Sequence, residues 1–131
     1  MIEDRLSALA LWVGAHLILT LVLALNVTRH RLNAGKDEYT PERLERAIRA
    51  HGNNIEYVPF VLLGIVVLYF CGLAALWIHA LCGLLLVARL CHAHGIQQEG
   101  PLPKTRVIGN VGTWLVMLLV GLRLIARAFG L

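Results

Sequence analysis

The residues best suited to chemistry lie in segment 46–59, RAIRAHGNNIEYVP, where charged and amide side chains directly precede a long apolar run. Arg49, Asn53 and Glu56 are spaced i, i+4, i+7, so a helix would place them on one face. Residues 57–88 contain no Asp, Glu, Lys or Arg. Ionisable groups at membrane depth are costly and are read by default as functional. The pattern predicts a polar site at or inside a membrane surface.

The next two apolar segments carry polar side chains at the same level. Arg89 and His92 are spaced i, i+3 and share one helix face. Arg106 and Asn110, spaced i, i+4, lie near the start of the last segment. This surplus of arginine over carboxylate predicts an anionic partner, for which glutathione, a phosphate or a lipid head group would fit. The exit of the first segment adds two basic residues, Arg29 and Arg31.

Counting helix rise inward from the turn near residue 72 predicts an ion pair. At about 1.5 Å per residue, Glu56 lies about 22 Å inward from Cys71. By the same rise, Arg89 lies about 21 Å inward from Ala75. Opposite charges at one depth on neighbouring helices would offset the cost of burying each. The pair is either a structural clamp alone or part of a site that includes the other arginines.

The composition is that of an integral membrane protein. The chain has 131 residues, of which 58% are hydrophobic and 15% charged, with a net charge of +4. A soluble domain has about 25% charged residues. The sequence has no basic patch interleaved with aromatic residues, so nothing in it indicates binding to nucleic acid. The three cysteines have no metal-type spacing, and His92 and His94 do not share a helix face, so no metal site is predicted.

The apolar segments predict an all-α fold, a four-helix transmembrane up-down bundle in one domain, 1–131. Thr40 and Pro41 read as an N-cap and first helical residue, and Gly72 breaks the chain between two helices. Lys and Arg are concentrated in the first and third connections, so the positive-inside rule places both termini outside the cytoplasm. Gly109 with Thr113, and Ala126 with Gly130, are spaced for close helix contacts. The predicted helices are 6–28, 41–71, 73–94 and 104–130.

Two other readings of the polar residues are weaker. His16 and His79 could be haem ligands, but they lie at different depths, which argues against one shared haem within a subunit. A small proton-coupled transporter would also have four helices and one membrane glutamate. Arg49 near Glu56 counts against it, because a proton-coupled carboxylate should not be permanently neutralised.

The second-helix pattern resembles the MAPEG superfamily, the membrane-associated proteins in eicosanoid and glutathione metabolism. The matching residues are Glu45-Arg46-x-x-Arg49-Ala50-x-x-Asn53-x-x-Glu56-Tyr57-x-Pro59. The form with His51-Gly52-Asn53, and with Ala88-Arg89-Leu90-x-His92 on the third helix, is most similar to small bacterial inner-membrane members. The resemblance implies a homotrimer of four-helix subunits in a bacterial inner membrane, where termini outside the cytoplasm are periplasmic. It also implies glutathione as co-substrate, bound between adjacent subunits near the cytoplasmic side.

The resemblance also implies residue roles. Arg106 matches the arginine that stabilises the glutathione thiolate, and Arg29 or Arg31 matches a basic position at the first helix exit. Many catalytic members have a tyrosine where this chain has Ile96, and some have a serine where it has Val107. The chain is therefore either a glutathione transferase or peroxidase acting on lipophilic electrophiles, or a non-catalytic binding protein for lipids or glutathione. The predicted ligand-binding set is Arg29, Arg31, Arg49, Asn53, Glu56, Tyr57, Arg89, His92 and Asn110.

Overall fold

Four long helices account for nearly the whole chain. The computed structural model describes residues 2–131, with side chains from residue 3 onward; Met1, the first residue of the predicted domain, lies outside the described residues. All four helices are long and apolar enough to cross a membrane. The helices are α1 (Ile2–Leu32), α2 (Pro41–Phe70), α3 (Ala75–Gln97) and α4 (Lys104–Ala128).

Helices α1 and α3 extend beyond the predicted apolar segments, although α3 begins and α4 ends two residues inside the predicted bounds. Helix α1 begins four residues before the predicted start and continues to Leu32, and α3 continues to Gln97. Acidic residues occupy the first turn of α1 and basic residues its last turn, which complements the helix dipole. Hydropathy detects only the part of a helix that lies in hydrocarbon, so it underestimates helices that extend into water.

Local signals define the ends of α2. The hydroxyl of Thr40 accepts a hydrogen bond from the Arg43 backbone N–H at 3.3 Å, and Pro41 is the first helical residue. At the other end Gly72 has φ +94°, a conformation that favours glycine. The N–H of Leu73 donates to the Leu68 carbonyl at 2.9 Å. These bonds form a Schellman cap that reverses the chain into α3.

The bundle packs α1 against α2 and α3, and α4 against α2 and α3, while α1 and α4 do not meet within residues 2–131. The predicted close contact at Gly109 is confirmed, because a Cβ there would lie 2.5 Å from the Ala88 carbonyl oxygen. The predicted contact at Gly130 is wrong, since this residue lies beyond the end of α4 with φ +78°. The outward surfaces of all four helices are rich in exposed Leu, Ile, Val and Phe, as a lipid-facing surface requires.

The ends of the bundle differ in chemistry. We call the end with connections 33–40 and 98–103 the polar end, and the end with turn 71–74 the turn end. One apolar core cluster fills the turn-end half around Ile65, Ile78 and Leu85. A second, smaller cluster around Leu23 and Ala93 lies toward the polar end. A buried polar layer lies between the two clusters.

Candidate functional site

Arg89 is the centre of this buried polar layer. Its side chain is 1% exposed although it lies on a transmembrane helix. Nη2 donates to Asn53 Oδ1 at 2.7 Å and Nε donates to Asn54 Oδ1 at 3.3 Å. Nη1 donates to the hydroxyl of Thr113 at 3.3 Å. These bonds satisfy a guanidinium that has no access to water, which is the condition for burying it.

Two further groups complete the surroundings of the guanidinium. Nη2 of Arg89 lies 3.3 Å from His92 Nδ1, which must be the acceptor because a guanidinium only donates. The guanidinium carbon lies 5.9 Å from the centre of the Tyr57 ring, within the range of a cation–π contact. Histidine and tyrosine thus add favourable contacts without supplying a full negative charge.

The network reaches all four helices through residues that sequence reasoning did not select. Asn54 on α2 is 1% exposed and donates through Nδ2 to the hydroxyl of Thr20 on α1 at 2.9 Å. Thr113 on α4 also donates to the Gly109 carbonyl at 2.8 Å. The sequence feature that could have identified these residues is the one that selected Asn53, namely an amide or hydroxyl inside an apolar helix. Such a buried hydrogen-bonded network is typical of polar residues at membrane depth.

The predicted Glu56–Arg89 ion pair is wrong. Within residues 2–131, no ion pair joins the two side chains, and Glu56 is exposed. The depth calculation placed Arg89 at the correct level, but the amides of α2 face it instead. Glu56 lies three residues after Asn53 and about 60° from it around the helix, but its exposed side chain forms no ion pair with the guanidinium among the described residues. Depth follows from residue counting, whereas the partner depends on helix rotation.

A cleft of about 330 Å³ opens beside the network at the polar end, between α2, the end of α3 and the start of α4. We call it the arginine cleft. Arg46 and Glu99 approach to 3.1 Å across it, and Arg49 and Glu45 approach to 3.0 Å along α2. The other lining residues are Glu42, Gly95, Ile96, Gln98, Gly100, Leu102, Pro103 and Arg106.

Arg106 differs from the other arginines of the cleft. It is half-buried, and its Nε is buried without a hydrogen-bond partner. No carboxylate among residues 2–131 lies within ion-pair distance of it. The backbone of Arg106 packs so closely on Gly95 that a Cβ at that glycine would collide with it. The backbone of Arg106 is thus packed against α3, while the charge of its guanidinium has no ion-pair partner among the described residues.

The structure groups the predicted site residues in two places. The buried network contains Asn53, Tyr57, Arg89 and His92, and the arginine cleft contains Arg49 and Arg106. Four others lie outside both, and one of them is the exposed Glu56. Arg29 donates to the Tyr39 hydroxyl at 2.9 Å, Arg31 is exposed, and Asn110 is half-buried on α4.

The two histidines considered as haem ligands are engaged within the bundle. His16 Nε2 lies 3.4 Å from the Cys82 carbonyl oxygen, and His79 Nδ1 accepts a hydrogen bond from Trp12 Nε1 at 2.9 Å. Across the described part of the chain, no three His, Cys, Asp or Glu side chains are grouped so as to hold a metal ion.

Four membrane-spanning helices around a buried arginine, with a cleft lined by arginines and glutamates at one end, define a multi-pass helical membrane protein. The model of the MAPEG family matches residues 9–126, nearly the whole chain. The chain therefore belongs to the MAPEG family, as its second-helix pattern predicted.

Two curated relatives are similar over part of the chain. Both are named inner membrane protein YecN, from two strains of Escherichia coli, and each is 36% identical over 78 residues. The match covers 59% of this chain and 57% of each relative. No solved structure matches significantly.

Proposed function

We propose that this protein is a glutathione-dependent transferase or peroxidase of a bacterial inner membrane, acting on lipophilic electrophiles. Membership of a family in eicosanoid and glutathione metabolism supports the substrate class. The names of the curated relatives support the inner membrane. A lipophilic electrophile would reach the arginine cleft sideways from the bilayer, so the reaction needs no deep aqueous pocket.

The single observation that carries the proposal is the state of Arg106. A free thiol has a pKa of about 8.5, and only the thiolate is the nucleophile. A nearby cation lowers the pKa of a thiol by favouring the anion. Arg106 suits this role because its Nε is buried and unpartnered within the described residues. Arg46 and Arg49 face carboxylates already, so their charge is partly neutralised.

The remaining contacts of glutathione follow from its charges. Arg49 is exposed and would exchange its ion pair with Glu45 for a carboxylate of the peptide, which would free the Glu45 carboxylate for the peptide amine. Asn53 lies about one turn after Arg49 on the same face of α2, and its amide would bind the peptide backbone. In the proposed homotrimer, Arg29 or Arg31 of an adjacent subunit would close the site.

A non-catalytic binding protein is the second candidate. Ile96 lines the arginine cleft and is 6% exposed, so no hydroxyl is supplied where many catalytic relatives have a tyrosine. Such a protein would hold glutathione or a lipid without lowering the pKa of a thiol. The two candidates therefore differ in the ionisation of the bound thiol.

Calorimetric titration of glutathione into the detergent-solubilised protein tests binding, and the ultraviolet absorbance of the complex reports the thiolate. An assay with a generic aryl halide then reports turnover. We expect Arg106→Leu to abolish the thiolate signal at neutral pH while retaining much of the binding. Arg49→Leu should weaken binding first. Lys104→Leu, an exposed cation on the same turn of α4, is the matched control and should change neither.

Each outcome decides between the candidates. If Arg106→Leu keeps the full thiolate signal and turnover, the catalytic role fails and the non-catalytic function is favoured. If the unaltered protein binds no glutathione, both the co-substrate and the transferase function are rejected.

A further inference from the structure

A second cavity lies at the turn end of the bundle, whereas the arginine cleft lies at the polar end. Its volume is about 420 Å³, within the range of ligand sites of about 300–1,000 Å³. Turn 71–74 forms one wall, with the Schellman cap at Gly72 holding the backbone in place. Leu68, Trp77 and Leu119 contribute apolar surface from three helices. The cavity is therefore suited to hydrocarbon.

Two arginines line this otherwise apolar cavity. Arg123 and Arg127 are spaced i, i+4 on α4, so they share one helix face. Both are exposed. Ligand sites commonly combine apolar walls with a few polar groups that fix one end of the ligand. Here both polar groups are cations.

The side chains of these two arginines make few contacts with the protein from residue 3 onward. The guanidinium of Arg127 makes no hydrogen bond or ion pair with any group from residue 3 onward. Arg123 Nη1 donates to the main-chain oxygen of Leu131, the last residue, at 2.9 Å, and to no other group among these residues. In contrast, the third arginine of this end, Arg5, donates to the backbone carbonyls of Tyr69 and Leu73 and stacks over the Tyr69 ring. Arg5 has a structural role that the other two lack.

We propose that this cavity binds an anionic phospholipid of the surrounding bilayer. One acyl chain occupies the apolar cavity, and the phosphate accepts hydrogen bonds from Arg123 and Arg127. Charge complementarity selects an anionic head group, because two neighbouring arginines favour a ligand of net negative charge and can both bond its phosphate. The site is separate from the arginine cleft, so the proposal stands or fails independently of glutathione chemistry.

A simpler role for the arginines is to complement the negative end of the α4 dipole. That role requires only positive charge near the last turn and gives no preference among lipids. The lipid site instead requires both arginines and the cavity together. Selectivity between an anionic and a zwitterionic lipid of identical chains therefore separates the two roles.

Native mass spectrometry of the intact protein in mild detergent, with equal amounts of phosphatidylglycerol and phosphatidylcholine, measures this selectivity. We expect a retained phosphatidylglycerol adduct. The Arg123→Gln/Arg127→Gln variant should bind it about thirtyfold more weakly, because each arginine near a membrane surface contributes about 1 kcal/mol, or about fivefold. Lys36→Gln/Lys104→Gln removes equal charge at the polar end and should leave the adduct unchanged.

The native thiol of Cys71, which lines the cavity, provides a second readout that does not depend on the gas phase. In a Cys91→Ser background, maleimide labelling of Cys71 should be slower in phosphatidylglycerol nanodiscs than in phosphatidylcholine nanodiscs. The double arginine variant should lose this difference. Equal labelling in both lipids, or a preference that survives the double substitution, would overturn the proposal. Retention of the wild-type melting temperature verifies that the variant is folded.

Discussion

Arg89 on α3 donates a hydrogen bond of 2.7 Å to Asn53 on α2, and this contact takes the place of the ion pair that residue counting predicted. An amide oxygen lies where a carboxylate was expected. The buried guanidinium is therefore held by neutral amide, hydroxyl and imidazole acceptors, without an ion pair among the described residues. The cleft at the polar end is lined by three arginines and three glutamates, so its charges are balanced within the protein.

The first prediction concerns the partners of Arg89. Asn54→Leu should lower the free energy of unfolding in detergent by about 1–3 kcal/mol, because it leaves a buried donor unsatisfied. Glu56→Gln should change it by less than about 0.5 kcal/mol, since Glu56 is exposed. Double-mutant cycles supply the control. Asn53 and Arg89 should show coupling, whereas additive losses for that pair, or coupling between Glu56 and Arg89, would contradict the structure.

The second prediction concerns the contact between α3 and α4. Gly109→Ala should destabilise the protein by about 1–3 kcal/mol, the usual cost of overpacking, because its Cβ would meet the backbone of Ala88 and His92. Gly121→Ala is the matched control on the same helix, since nothing lies within 4 Å of a Cβ there. It should be neutral or stabilising, by up to about 1 kcal/mol. Thermal unfolding in detergent measures both, and equal effects would reject the close contact.

The third prediction concerns orientation. The excess of Lys and Arg at the polar end predicts that this end faces the cytoplasm. A periplasm-active reporter fused after Leu131 should be active, and the same reporter inserted after Gly35 should be inactive. A reporter active only in the cytoplasm should show the reverse pattern. The reverse result at both positions would place the arginine cleft in the periplasm and remove access to cytoplasmic glutathione.

The fourth prediction concerns the carboxylate opposite Arg46. Glu99 is exposed and ion-paired at 3.1 Å, so Glu99→Gln should change stability by at most about 1 kcal/mol. Under the proposed function, the same change should tighten glutathione binding at low salt, because Arg46 gains an unpaired charge. Glu38→Gln, an exposed residue that does not line the cleft, is the control. Weaker binding by Glu99→Gln would show instead that this carboxylate holds the peptide amine.

Much of the fold was determined by local sequence signals. Four apolar segments specify four spans because backbone groups in hydrocarbon must be bonded within a helix. Thr40 with Pro41 specifies the start of α2, and Gly72 specifies its end, because capping and positive φ depend on neighbouring residues alone. The polar pattern of α2 predicted the family, and the resemblance in turn suggested Arg106 on α4. Counting helix rise placed Arg89 in the polar layer.

Only the tertiary structure decided which groups meet inside that layer. The choice of Asn53 and Asn54 rather than Glu56 as partners of Arg89 depends on the rotation of α2 about its axis. That rotation is determined by the packing of all four helices, which no local window of sequence contains. The same holds for the contact of Arg46 with Glu99, which lies far along the chain in the connection after α3. Residue spacing determines the depth and face of a side chain, whereas its partner depends on how neighbouring helices pack.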